Sequence, residues 1–253
     1  MNPFALQGQV VLITGASRGI GWAIAQTAAA AGAVVVLNSR DPEGLAQRQR
    51  TIQELGGQAE VAPFDVTDSG AAEQEIQKLV ERHGRLDALV NNAGIQHRQP
   101  FEEFPLEMLD RVLHTNLRSV MLLSQLAIRQ MLCQGSGRIV NIASIMGDLA
   151  RNSISAYTTS KGGVAAFTRA LAVEYGSRGI TCNAIAPGYI HTEMNEALTQ
   201  DAAFTAFVEK RTPAARWGAP EEVAQATLFL LSPAASYVNG TLLHVDGGLH
   251  VQV

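Results

Sequence analysis

The sequence predicts an α/β fold: one domain over residues 1–253, in which a single doubly wound sheet of about seven parallel strands carries helices on both faces. Three observations predict it. Short β-branched runs alternate strictly with longer segments of helical period. Those runs are continuously apolar, the pattern of strands covered on both faces rather than on one. A glycine-rich turn follows the first run directly and opens the first helix.

In chain order, strands are expected at 9–14 (QVVLIT), 33–38 (AVVVLN), 58–64, 86–90 (LDALV), 137–142 (GRIVNI), 180–185 and 242–245. Between them, helices are expected at 19–31, 42–55, 69–83, 105–132, 155–175 and 220–231. Pro42, Pro105 and Pro220 suit first-turn positions, where a missing N–H costs nothing. Strict alternation requires right-handed crossovers between parallel strands. The segment 187–217 is the longest without a strand; one or two short helices and a substrate lid at about 188–217 are expected there.

Composition narrows the function. With 19 Lys plus Arg against 23 Asp plus Glu, the chain has a net charge of −4 and no basic stripe, so a nucleic-acid partner is not expected. The longest apolar run, 28–37, is far below the ~20 residues of a membrane span. Residues 1–9 lack a signal-peptide pattern, and the two cysteines, Cys133 and Cys182, read as separate buried thiols; both point to the cytoplasm. No CxxC or histidine cluster suggests a metal. A charged share of 17%, against a usual ~25%, calls either for a large core or for surface hidden in an oligomer.

Gly15, Gly19 and Gly21 in TGASRGIG lie between strand and helix, where a pyrophosphate can approach the backbone and the helix N-terminus. Ser17, Arg18 and Ile20 fill the rest of that loop. The second strand ends in Asn38-Ser39-Arg40, with no carboxylate before Asp41. A cation there suits a ribose 2′-phosphate, with Arg18 closing on the same group, which selects NADP(H) over NAD(H). The alternative is that both arginines are solvated surface charges.

Tyr157 and Lys161 are four apart on one helix face, where an ammonium would stabilise a phenolate and let the tyrosine exchange a proton near neutral pH. Ser144 follows the strand VNIAS at the carboxyl edge of the sheet, where ligands bind in open α/β folds.

Together with Asn91-Asn92-Ala93-Gly94 and Pro187-Gly188, these motifs resemble those of the short-chain dehydrogenase/reductase family, over essentially the whole chain. The resemblance implies a Rossmann-type NADP-binding domain. It implies Tyr157 as general acid/base, Ser144 orienting the substrate carbonyl, and Lys161 on the nicotinamide ribose. Asn116 would hold a water leading from Lys161 to solvent. Asp65 and Val66 would meet the adenine; Asn91, Asn92, Ala93 and Gly94 would lie along the cofactor; and Pro187, Gly188, Ile190 and Thr192 would hold the nicotinamide end. Residue by residue, NNAG also reads as a turn after a strand, and Asp65 as a helix N-cap. The family further implies a homotetramer, packing 105–132 and 155–175 against partners and covering the apolar tail near Val245.

Longer stretches, GIQHR at 94–98, PFEEFP at 100–105 and FTAFVEKRTPAARWG from Phe204, resemble a narrower group, the gluconate 5-dehydrogenases, and so imply a keto sugar acid as substrate. Arg98 is the candidate for its carboxylate, with Met146 and Arg151 as further substrate contacts and His97, His191, Lys210 and Arg211 as other polar candidates. The chain departs from that group at His97 and at Ile145-Met146-Gly147-Asp148, where Met146 makes the pocket more apolar and Asp148 would repel an anion. Two other readings compete: a 3-oxoacyl thioester or general ketone reductase, and a non-enzymatic nucleotide sensor. The sensor would be favoured if Ser144, Tyr157 or Lys161 were missing; all three are present, which ranks it last.

Overall fold

The computed structural model describes residues 2–252. Seven strands form one parallel sheet: β1 (Val10–Thr14), β2 (Val34–Asn38), β3 (Gln58–Val61), β4 (Ala88–Asn91), β5 (Gly137–Ile142), β6 (Ile180–Pro187) and β7 (Leu242–Val245). Their order across the sheet is β3-β2-β1-β4-β5-β6-β7. The chain reverses its direction of travel between β1 and β4, which opens a crevice at the carboxyl ends of those two strands. Helices α1 (Gly19–Ala30), α2 (Pro42–Glu54), α3 (Ser69–His83), α4 (Leu106–Leu113), α5 (Ser119–Gln134), α6 (Ser155–Tyr175), α7 (Glu196–Thr199), α8 (Ala202–Arg211) and α9 (Pro220–Leu231) complete the fold.

The two faces of the sheet hold two cores, set by the alternation of side chains along each strand. Val11, Ile13, Val35, Leu37, Val90, Val140 and Ile185 face α1, α2 and α9. Val10, Leu12, Val36, Leu89, Ile139 and Cys182 face α3, α5 and α6. Full burial of such a side chain is worth roughly 1.5–3 kcal/mol, so these strands fix the sheet edge on which the loops stand. Capping chemistry starts the helices. Asp41 accepts from Gly44 N–H at 3.0 Å with Pro42 in the first turn of α2, and Asp68 accepts from Ala71 N–H at 3.0 Å at α3. Gly84, at φ +69°, ends α3.

Several boundaries differ from expectation. The third strand stops at Val61, because Asn38 Nδ2 takes the carbonyls of Ala62 and Phe64, both at 3.0 Å, in place of a sheet ladder. The expected helix 105–132 is broken by a wider π-type turn at His114–Arg118, and Pro105 sits just outside α4, at ψ +131°, not in its first turn. Cys133 is exposed; only Cys182 is buried, and both thiols are free. Asp65 caps no helix, since Asp68 holds that position. No described helix is long and apolar enough to cross a membrane.

Candidate active site

A cleft of about 850 Å³ runs along the carboxyl edge of the sheet, from the end of β3 across the β1–β4 crevice to the segment that follows β6. Asn92 builds its centre. The Asn92 N–H donates to Thr14 Oγ1 at 2.9 Å, and Nδ2 donates to the carbonyls of Thr14 at 2.9 Å and Gly15 at 3.1 Å. One asparagine thus ties the end of β4 to the glycine loop after β1. Gly15 takes φ +64° there, and a Cβ on it would meet Asn92 Nδ2 at 2.9 Å, so only glycine fits. The adjoining N-terminus of α1 differs from those of α2, α3 and α8. Its N-cap residue, Arg18, makes no side-chain cap, which leaves its first N–H groups free beside the cleft. Thr192 and Glu193 cross in front of Gly19.

Arginines gather at the β2 end. Arg18, Arg40 and Arg48 line the cleft, with Arg40 3.7 Å from Asp65. Arg48 is braced: Nε donates to Ser17 O at 2.9 Å and the guanidinium stands 4.7 Å from the Trp22 ring centre. Burial pushes the Asp65 carboxyl up. Hydrogen bonds from Thr67 N–H at 2.9 Å and Oγ1 at 2.7 Å, with the charges of Arg40 and Arg111, outweigh that and hold it below the usual range.

At the β5 end, Ser144, Tyr157 and Lys161 converge on the cleft. Ser144 is fixed by accepting from Met146 N–H at 3.1 Å. Burial pushes the Tyr157 phenol above its ordinary value, while a hydrogen bond with Ser144 pulls the other way. Lys161 lies 5.7 Å from the Tyr157 ring centre and donates to Ile142 O at 2.6 Å; burial pushes it down to about 8. This differs from the expected ammonium-lowered phenol. Desolvation acts on both groups, raising the Tyr157 phenol and making Lys161 more readily discharged. The π-type turn carries Asn116, which grips the backbone of Ile95 from both sides, Oδ1 accepting from N–H and Nδ2 donating to O, each at 2.8 Å, and also donates to Ser160 Oγ. Asn116 lies behind the cleft wall and positions the loop after β4.

At the far end the cleft is lined by Arg98, Met146, Arg151 and Tyr189. Burial, and then the charge of Arg151, push the Arg98 guanidinium below its ordinary value. Asp148 does not face this space. It pairs with His244 of β7 at 2.9 Å, which removes the expected repulsion of an anion.

Gly15, Ser17, Arg18, Gly19, Ile20, Asn38, Ser39, Arg40, Asp65, Val66, Asn92, Ala93, Gly94, Ser144, Tyr157, Lys161, Pro187, Gly188, Ile190, Thr192, Arg98, Met146 and Arg151 all line one cleft. Gly21 does not line it; it packs α1 against Gly15 O and Asn92, where a Cβ has no room. Asn91 is buried in the sheet, donating to Asn141 Oδ1 at 2.9 Å and Ser124 Oγ at 3.2 Å. His97 pairs with Gln99, Arg211 donates to Gln252 O, and neither these nor His191 or Lys210 reach the cleft. The cleft also takes Arg48, Arg111, Thr115, Tyr189 and Asn195, which sequence reading missed. Tyr189 adjoins the Pro187-Gly188 motif and was within reach of it; Arg48 sits mid-helix in α2 and Arg111 in the last turn of α4, where no local pattern marks them.

Comparison with known proteins agrees with this geometry. The family described as "Enoyl-(Acyl carrier protein) reductase" matches residues 15–250. A gluconate 5-dehydrogenase of Gluconobacter oxydans (strain 621H) is 45% identical over 250 residues, 99% of this chain and 98% of that one. A 5-keto-D-gluconate 5-reductase of Escherichia coli (strain K12) is 43% identical over the same shares. Among solved structures, a gluconate 5-dehydrogenase from Burkholderia cenocepacia J2315 in complex with NADP and tartrate superposes with a TM-score of 0.97 at 41% identity, covering 100% of this chain and 99% of that one.

Proposed function

The chain belongs to the short-chain dehydrogenase/reductase family, whose NADP-dependent members act on CH–OH groups, and from that premise we propose that it interconverts a keto sugar acid and its hydroxy acid, 5-keto-D-gluconate and D-gluconate. One observation carries the reading. In a chain of net charge −4, the cleft is lined by seven cationic side chains, Arg18, Arg40, Arg48, Arg98, Arg111, Arg151 and Lys161, against three carboxylates, Asp41, Asp65 and Glu193. That excess suits two anions, a phosphorylated dinucleotide and a sugar acid.

The residues fit NADP. The glycine cradle, the uncapped start of α1 and the Arg18–Arg40–Arg48 group suit its phosphates, and Asp65 and Val66 suit its adenine. When bound, NADP supplies hydride chemistry. Tyr157 Oη then gives its proton to the substrate oxygen in reduction. Ser144 Oγ holds the same oxygen. Lys161, charged below about pH 8, gives the site a cation beside that proton transfer. Residues 188–217 act as the lid over this one domain. The enzyme works in the cytoplasm, which its two free thiols suit, and assembles as a homotetramer, for which exposed Leu106 of α4, Met121 of α5 and Val173 of α6 are candidate contacts.

The test is a panel of 5-keto-D-gluconate, other sugar acids, neutral ketones and a 3-oxoacyl thioester, followed by NADPH absorbance. Turnover of the keto sugar acid with the highest kcat/KM is expected, and Tyr157→Phe should remove it while NADPH still binds. Preference for the thioester would move the assignment to the acyl reductases; more than a few per cent of activity in Tyr157→Phe would sink the catalytic role.

A further inference from the structure

The far end of the cleft presents two guanidinium groups with no acid to answer them. Among the described residues, neither Arg98 nor Arg151 joins any ion pair. Arg98 has only a 3.4 Å hydrogen bond to Gln96 Oε1. Their loops are stitched together, since the Gln99 N–H donates to Ser153 O at 3.0 Å, and Ser153 takes φ +66°, a conformation few side chains adopt. Two like charges held close would drive a long, freely rotating side chain out into solvent. Arg151 is an exposed residue, yet its guanidinium rests on the protein. Its Cζ stands 4.4 Å from the centre of the Phe204 ring, on α8.

That ring is itself held. Phe204 meets Tyr189 edge-on at 5.5 Å and 85°, Trp217 at 6.0 Å and 60°, and stacks on Phe207 at 5.7 Å and 29°. Tyr189 also packs on Trp217 at 5.6 Å. The aromatic group joins Tyr189 to Trp217 and offers one ring face to Arg151, which lines the cleft. An aromatic face attracts a guanidinium by its quadrupole, more strongly where water is partly excluded.

We propose that Phe204 is a positioning residue: its ring holds Arg151 beside Arg98, so that the two guanidinium groups form a preformed seat for the carboxylate of the substrate and α8 sets the affinity for anionic substrates. This rests on the sugar-acid reading above. A carboxylate placed between the two arginines accepts forked hydrogen bonds and cancels their repulsion, whereas a neutral substrate does neither. The lid thereby contributes to binding without touching the reacting atoms.

The experiment measures D-gluconate binding to the NADP-loaded enzyme by calorimetry, and steady-state KM and kcat, for Phe204→Leu, Phe204→Tyr, Arg151→Met and the Phe204→Leu/Arg151→Met double variant. Leucine keeps apolar bulk and loses the quadrupole. Phe204→Leu is expected to weaken D-gluconate binding and raise its KM about fivefold, with kcat and the KM for NADP changed less than about twofold, and Phe204→Tyr to restore wild-type affinity. In the Arg151→Met background the leucine substitution should add almost nothing. Wild-type affinity in Phe204→Leu, or an equal loss with and without Arg151, overturns the proposal and leaves the sugar-acid reading standing. Absence of any D-gluconate binding to the wild-type holoenzyme overturns both. Should Phe204→Leu fail to fold, Phe204→Tyr and Arg151→Met still decide: wild-type affinity in Arg151→Met removes the seat.

Discussion

Lys161 is 5% exposed, and burial pushes its pKa from 10.5 down to about 8. At 1.36 kcal/mol per pH unit, holding the charged form at pH 7 costs the fold about 3 kcal/mol. The sign follows from a depressed folded-state value. The unfolded chain binds more protons between pH 8 and 10.5, so that cost is absent above pH 10.5, grows as pH falls, and is complete below about 8. Against it stands the 2.6 Å hydrogen bond to Ile142 O, whose loss leaves a buried carbonyl unpaired at about 2 kcal/mol. Lys161→Met therefore should be about 1 kcal/mol more stable than wild type at pH 7 and about 2 kcal/mol less stable at pH 10.5. At roughly 2–4 °C per kcal/mol for a chain of this size, the melting curves should cross, the variant melting about 3 °C higher at pH 7 and about 6 °C lower at pH 10.5. Circular dichroism melts of the cofactor-free proteins across that range measure it. A difference that stays constant with pH would refute the reasoning, because it would mean that Lys161 carries no depressed pKa. The same variant should lose turnover, which makes this lysine a destabilising group retained for chemistry.

Two further expectations follow from particular groups. Arg40→Asp removes the forked donor at the β2 end and places a carboxylate there to accept from a ribose hydroxyl; the KM for NADP should rise about 10- to 100-fold, at 1.4 kcal/mol per tenfold, while NAD improves. An unchanged ratio of kcat/KM for the two cofactors would defeat the role of Arg40. Light scattering should give a mass near four times 27.0 kDa, and a clean monomer would send the low charged share back to the core for its explanation.

Most of the sheet was legible because its code is local. Continuous apolar runs fix strands, and a glycine turn after the first fixes where an anion can approach. The Ser144, Tyr157 and Lys161 side chains were legible for the same reason, each lying at a fixed distance from a strand end or from one another on a helix face. What escaped depends on contacts distant in sequence. The π-type turn that aims Asn116 at Ile95 changes no apolar period, so 105–132 reads as one straight helix. Asp148 looks like a repulsive charge in the pocket until folding brings His244, 96 residues away, to its carboxylate. Nor does any motif announce that Phe204 stands under Arg151, since the two lie far apart in sequence and meet only in the folded chain.

Charge separates the sugar-acid reading from the acyl-carrier one in a way the total could not. Taking the seven cations and three carboxylates of the cleft from the chain's 19 and 23 leaves 12 cations against 20 carboxylates everywhere else. The outer surface is therefore more acidic than the net charge of −4 implies, and the cleft is cationic. A protein partner rich in carboxylates would meet an excess of like charge outside the cleft. A small anion feels that outer field weakly, because salt screens it within about 8–10 Å, and meets the concentrated cationic field once inside the mouth. The same distribution suits a substrate whose charge travels with it into the site, as a sugar acid's carboxylate does, and disfavours one whose charge stays outside on a carrier.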